Sequence, residues 1–188
     1  MEFLDLVTKT RSIRRFDSSK RVCSDDVNHI LECARRTPSA ANLQRIRYIV
    51  VSGNEAKDAF SKVSLGGYLP NNLKPDISVC APLYIVLLTE DKPHDQNLYI
   101  DVGINAEAIA LAASERGISS CIIRNFDKEY FASLYENKSY VPVLVMAMGY
   151  SDERSEIVDV RTTESVKYYK DDSMVNRVPK LKLEDLIL

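Results

Sequence analysis

Asp101-Val102-Gly103-Ile104-Asn105-Ala106-Glu107-Ala108-Ile109-Ala110-Leu111-Ala112-Ala113-Ser114-Glu115-Arg116-Gly117 carries the strongest structural signal in the chain. Its five alanines, with Ile104, Ile109 and Leu111, favour helix throughout. Asp101 offers an N-cap, and Gly117 stands where a left-handed C-terminal cap belongs. Apolar residues cover nearly the whole circumference, so the helix predicted over Asp101 to Arg116 is buried on several sides. Alanines also admit a second helix at close range, in this chain or across a dimer.

Working outward, helices and strands alternate. Ile118 to Ile123 and Val143 to Met148 read as buried strands, separated by an Asp127-capped helix that runs to about Tyr135. Upstream, Leu83 to Thr89 is a continuous apolar run of the kind covered on both faces. Residues Gly66 to Pro75 mix Gly, Pro and Asn without periodicity and read as a long loop. Asn54 is a candidate cap for a helix to about Val63, and Ile46, Tyr48 and Val50 alternate as a strand. Val27, Ile30, Leu31 and Ala34 repeat at helical spacing behind Ser24-Asp25, with Pro38 as the stop, and Phe3, Leu4, Leu6 and Val7 form a first short stripe. After Gly149-Tyr150 the chain turns polar, with no apolar cluster until Leu181, Leu183, Leu186 and Ile187. A tail of that kind must wrap a partner subunit or the rim of its own domain.

The 188 residues suit one domain, with Lys plus Arg at 25 against Asp plus Glu at 27 and a net charge of -2. No global basic field exists to hold nucleic acid or an anionic membrane, so any anion site is local. Cys23, Cys33, Cys80 and Cys121 form no C-x-x-C pair, and three of them lie in apolar stretches, which fits a reducing, cytoplasmic compartment. With only His29 and His94 available, zinc would need thiolates from distant segments, so no metal is expected. Glu2, Asp5, Lys9 and Arg11 exclude a secretory signal, and the longest apolar run, Ile77 to Leu88, is broken by Pro82 and too short to span a bilayer.

Two segments carry chemistry. Thr10-Arg11-Ser12-Ile13-Arg14-Arg15-Phe16 places three guanidinium groups and a hydroxyl within five residues, which is either an oxyanion site or a solvated basic patch. Pro38-Ser39-Ala40-Ala41-Asn42-Leu43-Gln44 leaves amides and a hydroxyl free between a helix end and a strand, where small residues let a flat ring approach. Taken alone, it is a helix-terminating turn.

Together, and in this order, the two resemble the FMN-dependent nitroreductase family. That family has an Arg-Arg-Ser-Ile-Arg-like segment near its start and an Ala-Pro-Ser-x-x-Asn-x-Gln segment after the second helix. The likeness continues through Asp101-Val102-Gly103, Gly117-Ile118-Ser119-Ser120-Cys121 and Met148-Gly149-Tyr150. It ends in Lys167-Tyr168-Tyr169-Lys170-Asp171 and Val178-Pro179-Lys180-Leu181-Lys182-Leu183-Glu184-Asp185, so it covers essentially the whole chain.

The resemblance implies an α+β, three-layer α-β-α fold with a central mixed, mostly antiparallel sheet. It also implies a homodimer in which a domain-swapped extension, 151–188, wraps the partner subunit and each FMN site lies at the interface. FMN would be bound tightly, with NADPH or NADH as reductant and a nitroaromatic, quinone or similar small molecule as acceptor in a ping-pong cycle through flavin N5. Arg11, Ser12, Lys180 and Lys182 match the phosphate ligands. Ile13 belongs to the same segment, and Arg14 matches the position at the pyrimidine edge of the flavin. Pro38, Ser39, Ala40 and Asn42 match residues on the partner's flavin. Ile122, Ile123, Arg124 and Asn125 match the loop facing the ring. No catalytic side chain is required. A specialised reductase of the dehalogenase-like kind and a flavin-binding module without turnover are the competing readings.

Three positions depart from the family pattern. Thr10 replaces the first arginine, which shifts phosphate anchoring towards Lys180 and Lys182. Arg45-Ile46 replaces the usual Pro-Trp. Asn125 replaces a glycine and is expected to take a positive φ so that its N–H still faces the cofactor. Tyr68, in the Gly66 to Pro75 loop, is either a cover for the flavin slot or an incidental surface tyrosine.

Overall fold

Uninterrupted apolar runs produce strands with no wet side, and two such strands form the middle of the molecule. The computed structural model describes residues 2–92 and 95–188; His94, one of the two histidines weighed as a zinc ligand, lies outside them. Strands β1 (Arg47–Ser52), β2 (Leu83–Glu90), β3 (Ser119–Ile123) and β4 (Tyr140–Gly149) pair antiparallel in the order β1-β2-β4-β3. The central pair alternates on either side of a bulge opposite Leu87 and Leu88. Leu83, Ile85, Leu87, Leu144, Met146 and Met148 face one core with α2 (Ser24–Arg35) and α4 (Gln96–Glu115). Tyr84, Val86, Leu88, Val145 and Ala147 face the other with α3 (Gly53–Phe60) and α5 (Lys128–Ser133). The result is the expected three-layer α-β-α, α+β architecture. The mixed character of the sheet comes from one parallel bridge, Ser12 to Ser120, beside β3.

Helix α4 begins earlier than the sequence reading placed it. Asp95 is its N-cap, with Oδ1 accepting the Leu98 N–H at 2.8 Å, and Asp101 sits inside the helix as a buried side chain, 3 % exposed. An apolar circumference hides the start of such a helix, since periodicity fades when every face is covered. Gly117 does adopt the left-handed cap conformation, φ +73°. Helix α2 is capped by Cys23, whose Sγ accepts from the Asp26 N–H at 3.4 Å, and α3 stops at Phe60 rather than near Val63.

The tail makes a small sheet of its own from β5 (Ser155–Val160), β6 (Tyr169–Lys170) and β7 (Asn176–Leu181), ordered β5-β7-β6 with β5 and β7 parallel. It lies against residues 14–16 of its own chain: Ser151 bridges Phe16, and Asp152 N–H donates to the Arg15 carbonyl at 2.9 Å. Beyond it Leu183, Leu186 and Ile187 remain exposed, as do Phe3 and Leu4 of the first helix, α1 (Phe3–Lys9), and Tyr99, Ile100 and Ile104 of α4. Among the described residues no helix is long and apolar enough to cross a membrane.

Candidate functional site

The arginine segment runs as an irregular strand between β3 and the tail. Ile13 N–H donates to Ser120 O at 2.9 Å and Phe16 N–H to Val79 O at 3.0 Å, while Ile13 and Phe16 plug the core at 6 % and 1 % exposure. Alternation then sends Ser12 and Arg14 outward. Gly149 makes this possible: a Cβ there would meet Pro82 Cδ at 2.6 Å and the Phe16 ring at 3.2 Å. Two backbone amides of the segment, Arg14 and Arg15, donate to Glu153 Oε1 at 2.6 and 3.3 Å. The other oxygen of Glu153 accepts from Lys170 Nζ at 2.7 Å, and both side chains are almost fully buried.

Above this seat lies a cleft of about 470 Å³. Thr10, Arg11, Ser12 and Arg14 line it from one side, Glu107 and Ala110 from α4, Ser120 and Ile122 from β3, and Tyr168, Asn176, Val178 and Lys180 from the tail. Arg11 Nη2 donates to the Val7 carbonyl at 2.7 Å, but its Nε is buried without a partner. Burial pushes the Arg11 pKa down and the Glu107 carboxylate opposes that, so the guanidinium keeps its charge. Asn176, 2 % exposed, presents an unpartnered Oδ1 in the same cleft. Arg14 donates to Ser12 O at 3.3 Å, and its guanidinium lies 4.5 Å from the centre of the Tyr168 ring. Behind Ser12, burial raises the Cys121 thiol pKa, which makes it an inert core group.

The donor set tests the flavin mononucleotide that the sequence resemblance implies. Two cations and a hydroxyl, Arg11, Lys180 and Ser12, suit a phosphate. A lone buried acceptor, Asn176 Oδ1, suits a sugar hydroxyl, and the unpartnered Arg11 Nε is a desolvated donor of the sort that native interiors leave only for a ligand or a water. The residues fit the group.

Other sequence candidates fall elsewhere. Lys182 is exposed and outside the cleft; its backbone N–H donates to Val160 O at 3.1 Å and its carbonyl accepts the Asp185 N–H at 3.0 Å. β7 ends at Leu181, between the two lysines, and Lys182 leads into the short turn at Leu183–Asp185. Ile13 and Ile123 point into the core, leaving only their backbone to face a ligand. Ile122 and Arg124 line a broad open groove of about 1090 Å³ with Tyr99, Gly103 and Ala106, and Ile122 belongs to both it and the cleft. Asn125 is not among the residues of positive φ, contrary to expectation; its carbonyl instead accepts the Ser64 N–H at 2.9 Å.

Pro38, Ser39, Ala40 and Asn42 form a turn beside Asp101, six residues before Glu107 on α4. Six residues are about 600° of helix, so the turn and the cleft lie on different faces. The turn is strained, with Ala41, Asn42 and Gln44 at φ 48°, 54° and 50°, conformations that cost non-glycine residues roughly 1–2 kcal/mol each. A polar frame holds it. Asp101 Oδ1 accepts Ala40 N–H at 2.9 Å, Ser39 Oγ accepts Gln44 N–H at 3.1 Å, and Arg45 spans Asp95 at 3.1 Å and Asp101 at 3.4 Å. Tyr48 donates to Asn105 Oδ1, whose amide donates to Thr37 Oγ1 at 2.7 Å. Sequence reasoning gave no role to Asn176, Glu153 or Lys170, although Lys170 lies in the tail motif Lys167 to Asp171, since nothing local distinguishes their chemistry from that of a solvated tail.

With that geometry established, comparison with known proteins is informative. A model of the nitroreductase family matches residues 7–150. The YdgI protein of Bacillus subtilis, provisionally named as an NAD(P)H nitroreductase, is 23% identical over 79% of this chain and 88% of its own. An Archaeoglobus fulgidus protein, provisionally named as an NADH dehydrogenase/NAD(P)H nitroreductase, is 30% identical over 68% of this chain and 70% of its own. Among solved structures, an FMN-dependent nitroreductase from Clostridium difficile R20291 is 27% identical with a TM-score of 0.64, covering 82% of this chain and 90% of that one. A nitroreductase family protein from Clostridium novyi NT aligns over 95% and 94% of the two chains with a TM-score of 0.67; at 21% identity that likeness speaks for the fold alone.

Proposed function

The chain belongs to the nitroreductase family, and from that premise we propose that it is an FMN-dependent oxidoreductase drawing on NADPH or NADH and acting on a nitroaromatic, a quinone or a similar small acceptor. The observation that carries the reading is the convergence of Arg11, Ser12, Arg14 and Lys180 on one cleft, with Arg11 Nε unpartnered. The flavin, when bound, supplies hydride acceptance from the nicotinamide and delivery to the acceptor at its N5. The protein's own part is to bind and to orient. Arg11, Ser12 and Lys180 hold the phosphate, each charged hydrogen bond contributing about 1.5–3 kcal/mol. Arg14, seated by Glu153, brings positive charge to the ring edge, and Ile122 gives the ring an apolar neighbour.

The turn at Pro38, Ser39, Ala40 and Asn42 is too far round α4 to serve its own chain's cleft, and its strain is supported by a dedicated frame. Strain of this kind concentrates at functional positions. We assign it to the cleft of a second copy. The uncovered apolar residues Leu43, Tyr99, Ile100, Ile104 and Ile122, together with Leu183, Leu186 and Ile187 at the end of the tail, give a homodimer surface to bury, and the 151–188 extension would reach the partner through those last residues.

Purified protein tests this directly. A yellow, FMN-containing dimer by sedimentation, bleached anaerobically by NADPH or NADH and recoloured by a nitroaromatic or a quinone, is the expected result. Colourless protein that takes up no added FMN would overturn it.

A further inference from the structure

Tyr168 makes contacts that neither the fold nor the phosphate grip requires. Its ring faces the Arg14 guanidinium at 4.5 Å, and its hydroxyl accepts the Tyr68 backbone N–H at 3.0 Å. The two tyrosine rings lie 5.2 Å apart, and Lys167 Nζ sits 5.7 Å from the Tyr68 ring centre. Gly67 permits the approach, because a Cβ there would stand 3.3 Å from the Tyr168 hydroxyl. Tyr68 itself is 63% exposed, on a loop whose footing is the buried Leu69 and a short turn at Asn71–Leu73. One side chain thus joins the cleft to the loop.

Two residues further along the chain, at the end of β6, Lys170 neutralises Glu153, which holds the Arg14 amide. The tail therefore grips Arg14 twice, its backbone through Glu153 and its side chain through the aromatic ring. Arg14 has no carboxylate partner in an ion pair among the described residues, so the Tyr168 ring, together with a long hydrogen bond to Ser12 O, limits where its charge goes.

We propose that Tyr168 is a positioning residue for the flavin site: its ring fixes the Arg14 guanidinium in the cleft and its hydroxyl fixes the 66–75 loop beside it, so that filling the cleft and holding the loop are one event. The proposal rests on the reading of the cleft as a flavin site and goes beyond it by assigning a residue and a moving part.

The test measures FMN dissociation constants by fluorescence and hydrogen exchange at the Tyr68 amide, with and without FMN, for the full chain. Tyr168→Leu is expected to weaken FMN binding about 3- to 30-fold, the range of a cation–π contact. Tyr168→Phe keeps the ring and recovers most of the affinity lost in Tyr168→Leu, yet accelerates exchange at Tyr68 and abolishes its slowing by FMN because the acceptor is gone. In an Arg14→Ala background, Tyr168→Leu adds no further loss, and in the wild type FMN slows exchange at Tyr68. Wild-type affinity in Tyr168→Leu, additive losses in the double variant, or unchanged exchange in Tyr168→Phe would each overturn the proposal while leaving the flavin reading intact. Wild-type protein that binds no FMN would instead remove the flavin reading, and the positioning role with it.

Discussion

The N-terminal half of α4 and the C-terminal half each face arginines, and the two treat them in opposite ways. Near the start, Arg45 has both Nη atoms on carboxylates, Asp95 and Asp101, and the hydrogen bond to Asp95 does most to raise its pKa; its Nε, like that of Arg11, is buried without a partner, so what separates the two arginines is the carboxylates. Further along, Arg11 faces a cleft with only a backbone carbonyl for a partner, Nε unpartnered and its pKa pushed down by burial, while Lys180 forms no ion pair among the described residues. A guanidinium matched by the chain's own acids is spent on structure; there it braces a strained turn. One left short of acceptors in a hollow is available to an anion. Identical residue types thus read differently once their neighbours are known.

The arginine segment is seated on a buried pair, Glu153 and Lys170, and removing half of that pair is the hardest way to break the contrast. Lys170→Met leaves Glu153 charged and enclosed with only two amide donors. Losing one partner of a buried pair costs about 3–5 kcal/mol, so urea denaturation should show a loss of that size. A loss below about 1 kcal/mol, the worth of an exposed pair, would mean that the tail does not seat the arginine segment through Glu153.

How far the sequence foretold this differs between the two halves. Continuous apolar strands and the alanine-rich helix were legible because a residue buried on both faces must be apolar whatever its partners. Arg11, Ser12, Arg14 and Lys180 were legible through a family pattern, and the cleft does gather them. Asp101 was misread as a cap because an acid near a helix start looks the same whether it ends the helix or is buried against Ala40 and Arg45. Glu153 and Lys170 could not be found at all, since a pair separated by 17 residues in a polar tail has no period or spacing to betray it. Lys182 was grouped with Lys180 by the same pattern and lies outside the cleft: both fall on one strand face by parity, but β7 ends between them.

A milder cut sharpens the same contrast from the ligand's side. Arg11→Ala removes the guanidinium with the unpartnered nitrogen and should raise the FMN dissociation constant about 10- to 150-fold, the equivalent of a charged hydrogen bond at about 1.5–3 kcal/mol. Equilibrium dialysis against FMN measures it. Unchanged affinity would place the phosphate elsewhere and leave Arg11 a buried oddity rather than the cleft's main cation.

The smallest effect concerns the matched half and appears only as a pH slope. Arg45 holds the Asp95 carboxyl below the ordinary carboxylate range, with the Leu98 N–H assisting. A carboxylate whose folded pKa is depressed adds stability above its unfolded pKa, near 3.9, and loses it as pH falls through the folded value. Arg45→Met removes that depression, so its melting temperature should lie below wild type at about pH 6, with the gap narrowing as pH falls below about 4. Taking the difference between the two proteins cancels the other depressed acids, Asp17, Glu32, Asp76, Glu90, Asp127 and Asp171, none of which contacts Arg45. A gap that stays constant across that window would show that Arg45 braces the turn by packing alone, and that charge matching is not what distinguishes the two halves of α4.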